Sequence, residues 1–243
     1  MSTDPIKPPA PATVVLVHGA FADSSSWNGV IQRLRARGYS VVAAANPLRG
    51  LDSDAAYIAS FVQTIERPCV LVGHSYGGSV ITVAGAANPN VTALVYVAAF
   101  IPDQGESTLQ LTDMFPGSTL AATTRAGLYP LADASTGTEL SIRQEEFHQQ
   151  FAADVPATTA ELMAVTQRPV ALAALQEPAS AAAWKTIPTF ALVTTQDKSI
   201  PVQAQRFMAE RAAAHPIEIP ASHAVAVSKP QAVSDLITTA MSH

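Results

Sequence analysis

Val70-Leu71-Val72-Gly73-His74-Ser75-Tyr76-Gly77-Gly78 decides the reading of this 243-residue chain. A short apolar run, opened by Cys69, has the composition of a strand buried on both faces. A helical pattern begins at Tyr76 and continues to about Ala87. Between them a serine stands in the spacing Gly-x-Ser-x-Gly. A serine squeezed between a strand and a helix sits on a tight turn with its hydroxyl exposed. Gly73 and Gly77 are required because side chains two residues either side of the serine would clash there.

The same rhythm extends in both directions. Apolar strand runs occupy residues 13–17, 39–44, 69–72, 91–97, 188–193 and 217–219. Trp27, Val30, Ile31 and Leu34 fall at helical spacing after a loop in which Ser24, Ser25 and Ser26 are candidate N-caps. A second helix carries Tyr57, Ile58, Phe61, Val62 and Ile65, with Asp52 or Ser53 as its cap. Helices around 203–214 and 230–241 close the chain. Strands alternating with helices imply a parallel sheet covered on both faces, with right-handed crossovers. Residues 103–183 break the rhythm and hold no convincing strand. Phe147 with Phe151 marks one helical candidate there, and Leu162, Met163 and Val165 mark another. The expected organisation is a core of residues 13–102 and 184–243, a helical lid inserted at 103–183, and a flexible arm at 1–12.

Hydrophobic residues make up 48% of the chain and charged ones 14%, enough for a large core. A net charge of −5 and the lack of any basic run argue against a nucleic-acid partner. No apolar stretch reaches the roughly 18 residues a membrane span needs. The proline-rich start has no apolar segment of a secretory signal, and the lone Cys69 reads as a buried apolar filler, so a cytoplasmic location is expected.

A serine hydroxyl at neutral pH needs a base to become a nucleophile. Of six histidines, His223 lies in the loop after the last strand, where a sheet of this kind collects reacting groups. His18 ends the first strand as a loop buttress, and the ring of His74 is expected to point away from Ser75. A base needs an acid to hold its tautomer and stabilise the imidazolium. Asp197, after the fifth strand run, is preferred over Asp103, after the fourth. The oxyanion of an acyl-transfer intermediate needs two N–H donors. Tyr76 at the helix start supplies one; the other comes from the loop His18-Gly19-Ala20-Phe21, with Ala20 the first choice and Phe21 the second.

Val17-His18-Gly19-Ala20, Ser26-Trp27, the Gly73 to Gly78 motif, Asp197 and Ser222-His223 together resemble the α/β-hydrolase superfamily. They are most similar to the branch of plant methylesterases, hydroxynitrile lyases and bacterial esterases. The order Ser75, Asp197, His223 is the one that superfamily uses. The resemblance implies an α/β-hydrolase fold, with a six-stranded, mainly parallel sheet flanked by helices and an inserted helical lid. It also implies a Ser75–His223–Asp197 triad that cleaves small uncharged carboxylic esters through an acyl-enzyme. The lyases of that branch carry a threonine and a lysine where this chain has Gly19 and Ala224, so it lacks the cation that would stabilise departing cyanide. Neither cofactor nor metal is implied. The alternatives are a cofactor-free haloperoxidase or perhydrolase, and a small-ligand receptor on the hydrolase fold. Phe21, Phe100, Trp184 and Val225 are expected as substrate-binding walls, with Phe115, Phe147 and Phe151 as further lid candidates. The expected partner is a small-molecule ester, with no nucleic acid and no membrane; a homodimer is the assembly left open.

Overall fold

The computed structural model describes residues 12–242. Residues 1–11 of the expected arm and His243 lie outside the described residues. Six parallel strands form the central sheet: β1 (Thr13–Val17), β2 (Ser40–Ala44), β3 (Cys69–His74), β4 (Val91–Val97), β8 (Thr189–Thr194) and β9 (His215–Ile219). Their order is β2-β1-β3-β4-β8-β9, and every neighbouring pair runs parallel. These are the six runs read from the sequence.

Alternation along each strand divides the core. Val14, Leu16, Val70, Val72, Val95 and Leu192 face α1 (Asn28–Ala36) and α11 (Pro230–Ala240). Val15, Val17, Leu71, Leu94 and Ala191 face α2 (Leu51–Gln63), α3 (Tyr76–Ala86) and α9 (Val202–Arg211). Both faces of β1, β3, β4 and β8 are therefore largely dry, which is why those strands read as apolar runs, while the edge strands β2 and β9 are partly open to solvent. Trp27, Leu34, Leu51 and Ile58 are fully buried. Each such side chain contributes about 1.5–3 kcal/mol, so the helix–sheet layers carry the stability and leave the rim free for chemistry. Two caps differ from expectation. Asp23, not a serine, caps the turn Ser24–Trp27 by accepting from Ser25 N at 2.6 Å. Gly50 precedes α2 without a side-chain cap.

The insertion is not purely helical. It contains α4 (Thr108–Asp113), α5 (Leu120–Thr123), α6 (Gln144–Phe151), α7 (Ala157–Thr166) and α8 (Leu172–Gln176). It also contains a three-stranded antiparallel sheet of β5 (Thr124–Pro130), β6 (Thr136–Ile142) and the short β7 (Val170–Ala171). The strandless lid expected for 103–183 is corrected accordingly. In α7 the buried residues are Ala160 and Ala164, while Leu162 and Val165 face outward at 66% and 61% exposure. The short helix α10 (Val225–Ser228) follows the β9 loop, and Val225 is fully buried in the layer under α1 and α11. It is a core residue and not the substrate wall expected of it.

Both stems of the insertion are held by one core residue, Arg211 of α9. Its guanidinium donates to Glu106 Oε1 and Oε2 at 2.6 and 2.7 Å and to Ile101 O at 2.9 Å. It also lies 5.8 Å from the Trp184 ring and 5.0 Å from the Phe207 ring. Trp184 donates its indole N–H to Pro102 O at 2.8 Å, joining the outgoing stem to the incoming one. Trp184 is thus a stem clasp, which corrects its assignment as a cavity wall. Arg211→Ala is expected to cost about 1.5–3 kcal/mol, the range for hydrogen bonds to charged groups. Amide hydrogen exchange should accelerate at residues 101–106 and 182–187 while the central strands stay protected. Uniform acceleration across the chain would contradict the clasp.

Candidate active site

The sheet reverses its direction of winding between β1 and β3, and the loops leaving those strands part at that point. Ser75 sits there, between β3 and α3, with φ 54° and ψ −125°. A non-glycine residue held in that region stores about 1–3 kcal/mol of strain, which the surroundings must sustain. They do so through the Ser75 backbone: its N–H donates to Val97 O at 3.3 Å, and its carbonyl accepts from Gly78 N at 2.9 Å and Phe100 N at 3.2 Å. The flanking glycines are required by close approach. A Cβ on Gly73 would lie 2.5 Å from Gly77 O, and one on Gly77 would lie 2.4 Å from Val17 O.

His223 is 1% exposed and lies at the same rim, after β9. Its Nδ1 is 2.7 Å from Asp197 Oδ2. An ionised carboxylate only accepts, so Nδ1 carries a proton, and in the neutral ring Nε2 is the basic nitrogen. Among the described residues no hydrogen bond engages His223 Nε2 or Ser75 Oγ, which leaves both uncommitted. Asp197 is fully buried, and burial alone would raise its pKa. The His223 charge and hydrogen bond, with the amides of Ile200 and Ser199, outweigh burial and hold it below the ordinary carboxylate value. Ser199 N and Ile200 N donate to Oδ1 at 2.7 and 3.0 Å, and Thr194 Oγ1 and Gln205 Nε2 donate to Oδ2 at 2.9 and 3.0 Å. Asp103, the rival acid, is on the insertion stem in an ion pair with Lys185.

The His74 ring lies tilted at 49° to the His223 ring, with the centroids 4.7 Å apart. Its Nε2–H donates to His223 O at 2.9 Å. His18 buttresses the first loop: Nδ1–H donates to Gly19 O at 2.9 Å, and Nε2 accepts from Asn46 N at 3.1 Å. Burial lowers its pKa, in keeping with the neutral ring those two bonds require. Gly19 passes so close to Ser75 that an added Cβ would lie 2.6 Å from Ser75 Cβ. Phe21 N donates to Arg168 O at 3.1 Å, so that amide is occupied, and Ala20 is the donor left in the loop. Tyr76 opens α3, where a first-turn N–H has no intrahelical acceptor. Its hydroxyl donates to the buried Asp54 Oδ2 at 2.9 Å.

A cavity of about 170 Å³ opens beside Ser75. Ala20, Phe21, Tyr76 and Phe100 wall its core side, and Leu120, Leu140 and Leu175 its lid side. Phe21 and Phe100 are where the sequence places them. Phe147 and Phe151 are buried instead, with Phe151 packed edge-on against His223 at 4.8 Å, and Phe115 packs on Phe207. A larger open groove of about 470 Å³ runs along Phe21, Asp23 and α7, but Ser75 is not among its walls. The smaller cavity is therefore the relevant one. Sequence reasoning missed Thr194, Gln205, Asn46 and Asp54. Only Gln205 carried a signal, a polar residue beside Ala204 and one turn before Met208 and Ala209 on the buried face of α9. Among the described residues no three His, Cys, Asp or Glu side chains gather as a metal site, and no helix is long and apolar enough to cross a membrane.

A strained serine and a buried His–Asp pair stand at the carboxyl edge of a parallel sheet, where a nucleophilic hydrolase requires them. The profile of the Alpha/beta hydrolase family matches residues 14–236, and the chain belongs to that family. A carbendazim hydrolyzing esterase of Nocardioides sp. is 33% identical over 113 residues, 41% of this chain and 47% of that protein. Methylesterase 1 of Arabidopsis thaliana is 25% identical over 91% of this chain and 92% of its own length. The crystal structure of polyneuridine aldehyde esterase superposes with a TM-score of 0.82 at 20% identity, over 95% of this chain and 99% of that one.

Two measurements test the site's construction. Gly19→Ala should lower stability by about 1–3 kcal/mol, as overpacking against backbone does. An unchanged thermal midpoint would mean that the loop has room. Burial, reinforced by the neighbouring His223 charge, holds His74 at about 3, below its free value of 6.5. The unfolded chain therefore takes up a proton that the folded chain refuses. This contribution is complete above pH 6.5 and is lost as pH falls toward 3. His74→Gln should flatten the fall of the thermal midpoint across that window; an unaltered slope would count against it.

Proposed function

We propose that the chain cleaves small uncharged carboxylic esters through an acyl-enzyme on Ser75. Family membership and its esterase relatives make it a carboxylic-ester hydrolase; the substrate class and the route are the proposal. The observation that carries it is His223, fixed by a buried carboxylate on Nδ1 and left unpaired on Nε2, at the rim that holds the strained Ser75.

In this reading His223 Nε2 takes the Ser75 proton as Oγ attacks the ester carbonyl. The tetrahedral oxyanion rests on the Ala20 and Tyr76 N–H groups, each worth about 3 kcal/mol in comparable sites. As the C–O bond breaks, the imidazolium protonates the leaving alcohol. Water, deprotonated by the same nitrogen, attacks the acyl-enzyme; the acyl–Oγ bond breaks, the imidazolium returns the proton to Ser75 Oγ, and the acid is released. Asp197 stays ionised throughout and stabilises the imidazolium. The walls Phe21, Phe100 and Leu175 favour apolar groups, and Asp113 at the cavity edge opposes anionic ones. A volume near 170 Å³ favours small groups.

Turnover of short-chain p-nitrophenyl esters should fall about 10³-fold or more in Ser75→Ala. Equal rates in the two proteins would end this reading. Asp197→Asn should lose about as much as the serine variant, because it imposes the wrong imidazole tautomer.

A further inference from the structure

The loop carrying His223 is held from two sides, and one of them is the insertion. The core side is already described: Asp197 fixes the ring and His74 fixes the carbonyl. On the other side the turn at residues 151–155, just after α6, grips the residues on either side of His223. Ala224 N donates to Phe151 O at 2.9 Å. Ser222 Oγ donates to Asp154 Oδ1 in a short hydrogen bond. The Phe151 ring meets the His223 ring edge-on at 4.8 Å. The turn is itself braced, since His148 Nε2–H donates to Val155 O at 2.9 Å.

Asp154 is unusual in this arrangement. Its second oxygen, Oδ2, is buried and has no hydrogen-bond partner. An oxygen without a protein partner adds nothing to the turn, so the bond to Ser222 is what this carboxylate contributes there. Removing the side chain would leave the Ser222 hydroxyl with only the long bond to Phe151 O at 3.4 Å. Its placement is explained by what it holds, the residue directly before the imidazole.

We propose that Asp154, acting through Ser222, is a positioning residue that holds the His223 imidazole in register with Ser75. The insertion is then part of the base's mounting as well as the cavity's roof. The inference rests on the role assigned to His223 above. It adds a residue that contacts neither the cavity nor the reacting atoms.

Ester turnover, thermal stability and the low-field proton resonance of the His223 Nδ1–H···Asp197 bond, read on the full chain, test it together. Asp154→Ala should lower kcat about 10-fold, because displacements of an ångström or less at a reacting group carry penalties of that order. KM should stay within about twofold, since Asp154 is not a cavity wall. The resonance should broaden although the thermal midpoint barely moves. Asp154→Asn keeps an acceptor for Ser222 and should recover most of kcat. Ser222→Ala should match Asp154→Ala, and the double variant should be no worse than either single. The proposal is overturned if Asp154→Ala leaves kcat and the resonance unchanged, if the loss falls in KM alone, or if Asp154→Asn is as impaired as Asp154→Ala. A wild-type protein that turns over no ester would defeat the proposed function instead, and the resonance series would still judge the positioning role.

Discussion

A carboxylate with no contact to solvent stays ionised at the edge of this sheet, and much of the site's construction serves it. Asp197 accepts from two turn amides, a threonine, a glutamine and His223. Removing one partner of a buried charge costs about 3–5 kcal/mol, because the remainder is left uncompensated. The donors tie distant elements together. Thr194 ends β8, Gln205 comes from α9, and His223 follows β9. The spacing of β8, α9 and β9 is thus set as much by one anion as by apolar packing. The same anion selects the imidazole tautomer, since a carboxylate on Nδ1 leaves Nε2 as the basic nitrogen.

The nucleophile side depends on strain instead of charge. Ser75 is kept at positive φ by three backbone hydrogen bonds and by two glycines whose missing side chains let β1 and α3 approach. His18 and Asn46 fix the neighbouring loop, the Phe21 amide is occupied by Arg168 O, and Ala20 lines the cavity together with Ser75. In the proposed reading Ala20 and Tyr76 form a donor pair that needs no reorganisation when charge develops, which is where most of such a site's advantage would lie.

Legibility in the sequence followed burial. The inner strands β1, β3, β4 and β8 could be read because both their faces are covered and they show as apolar runs, whereas the more exposed edge strands β2 and β9 were read from short apolar runs between a turn and a helical pattern. The serine turn was legible because its glycines have no substitute there. The hairpin of β5 and β6 was not, because it is largely uncovered: Leu128 is 76% exposed, and neither strand alternates between apolar and polar residues. Its one clear packing device, the Tyr129 ring over Gly137, has no one-dimensional signature. Trp184 and Val225 were misplaced for another reason. Nearness in sequence to a site says nothing about direction. The indole turns to Pro102 O, and α10 turns Val225 into the core. The polar partners of Asp197 were hidden because a buried polar residue declares itself only once its acceptor is located.

The insertion touches both turns that hold the charged pair. Thr119 N and Gln150 Nε2 donate to Lys198 O at 3.0 and 2.9 Å, and Ser118 Oγ donates to Ser199 O at 2.9 Å. These contacts lie beside Asp197, and the turn at 151–155 lies beside His223. One lobe therefore roofs acid and base together, while Thr108, Leu120, Leu140 and Leu175 face the cavity. The two sets of residues answer to different constraints. Cavity-facing side chains can change size with only a change in what fits, provided the roof stays seated. The anchoring groups donate to or accept from backbone whose position sets the imidazole, so a change there reaches the proton transfer without touching a ligand. A sequence motif frames Ser75, whereas the loop carrying His223 is held in part by a segment that carries no motif at all.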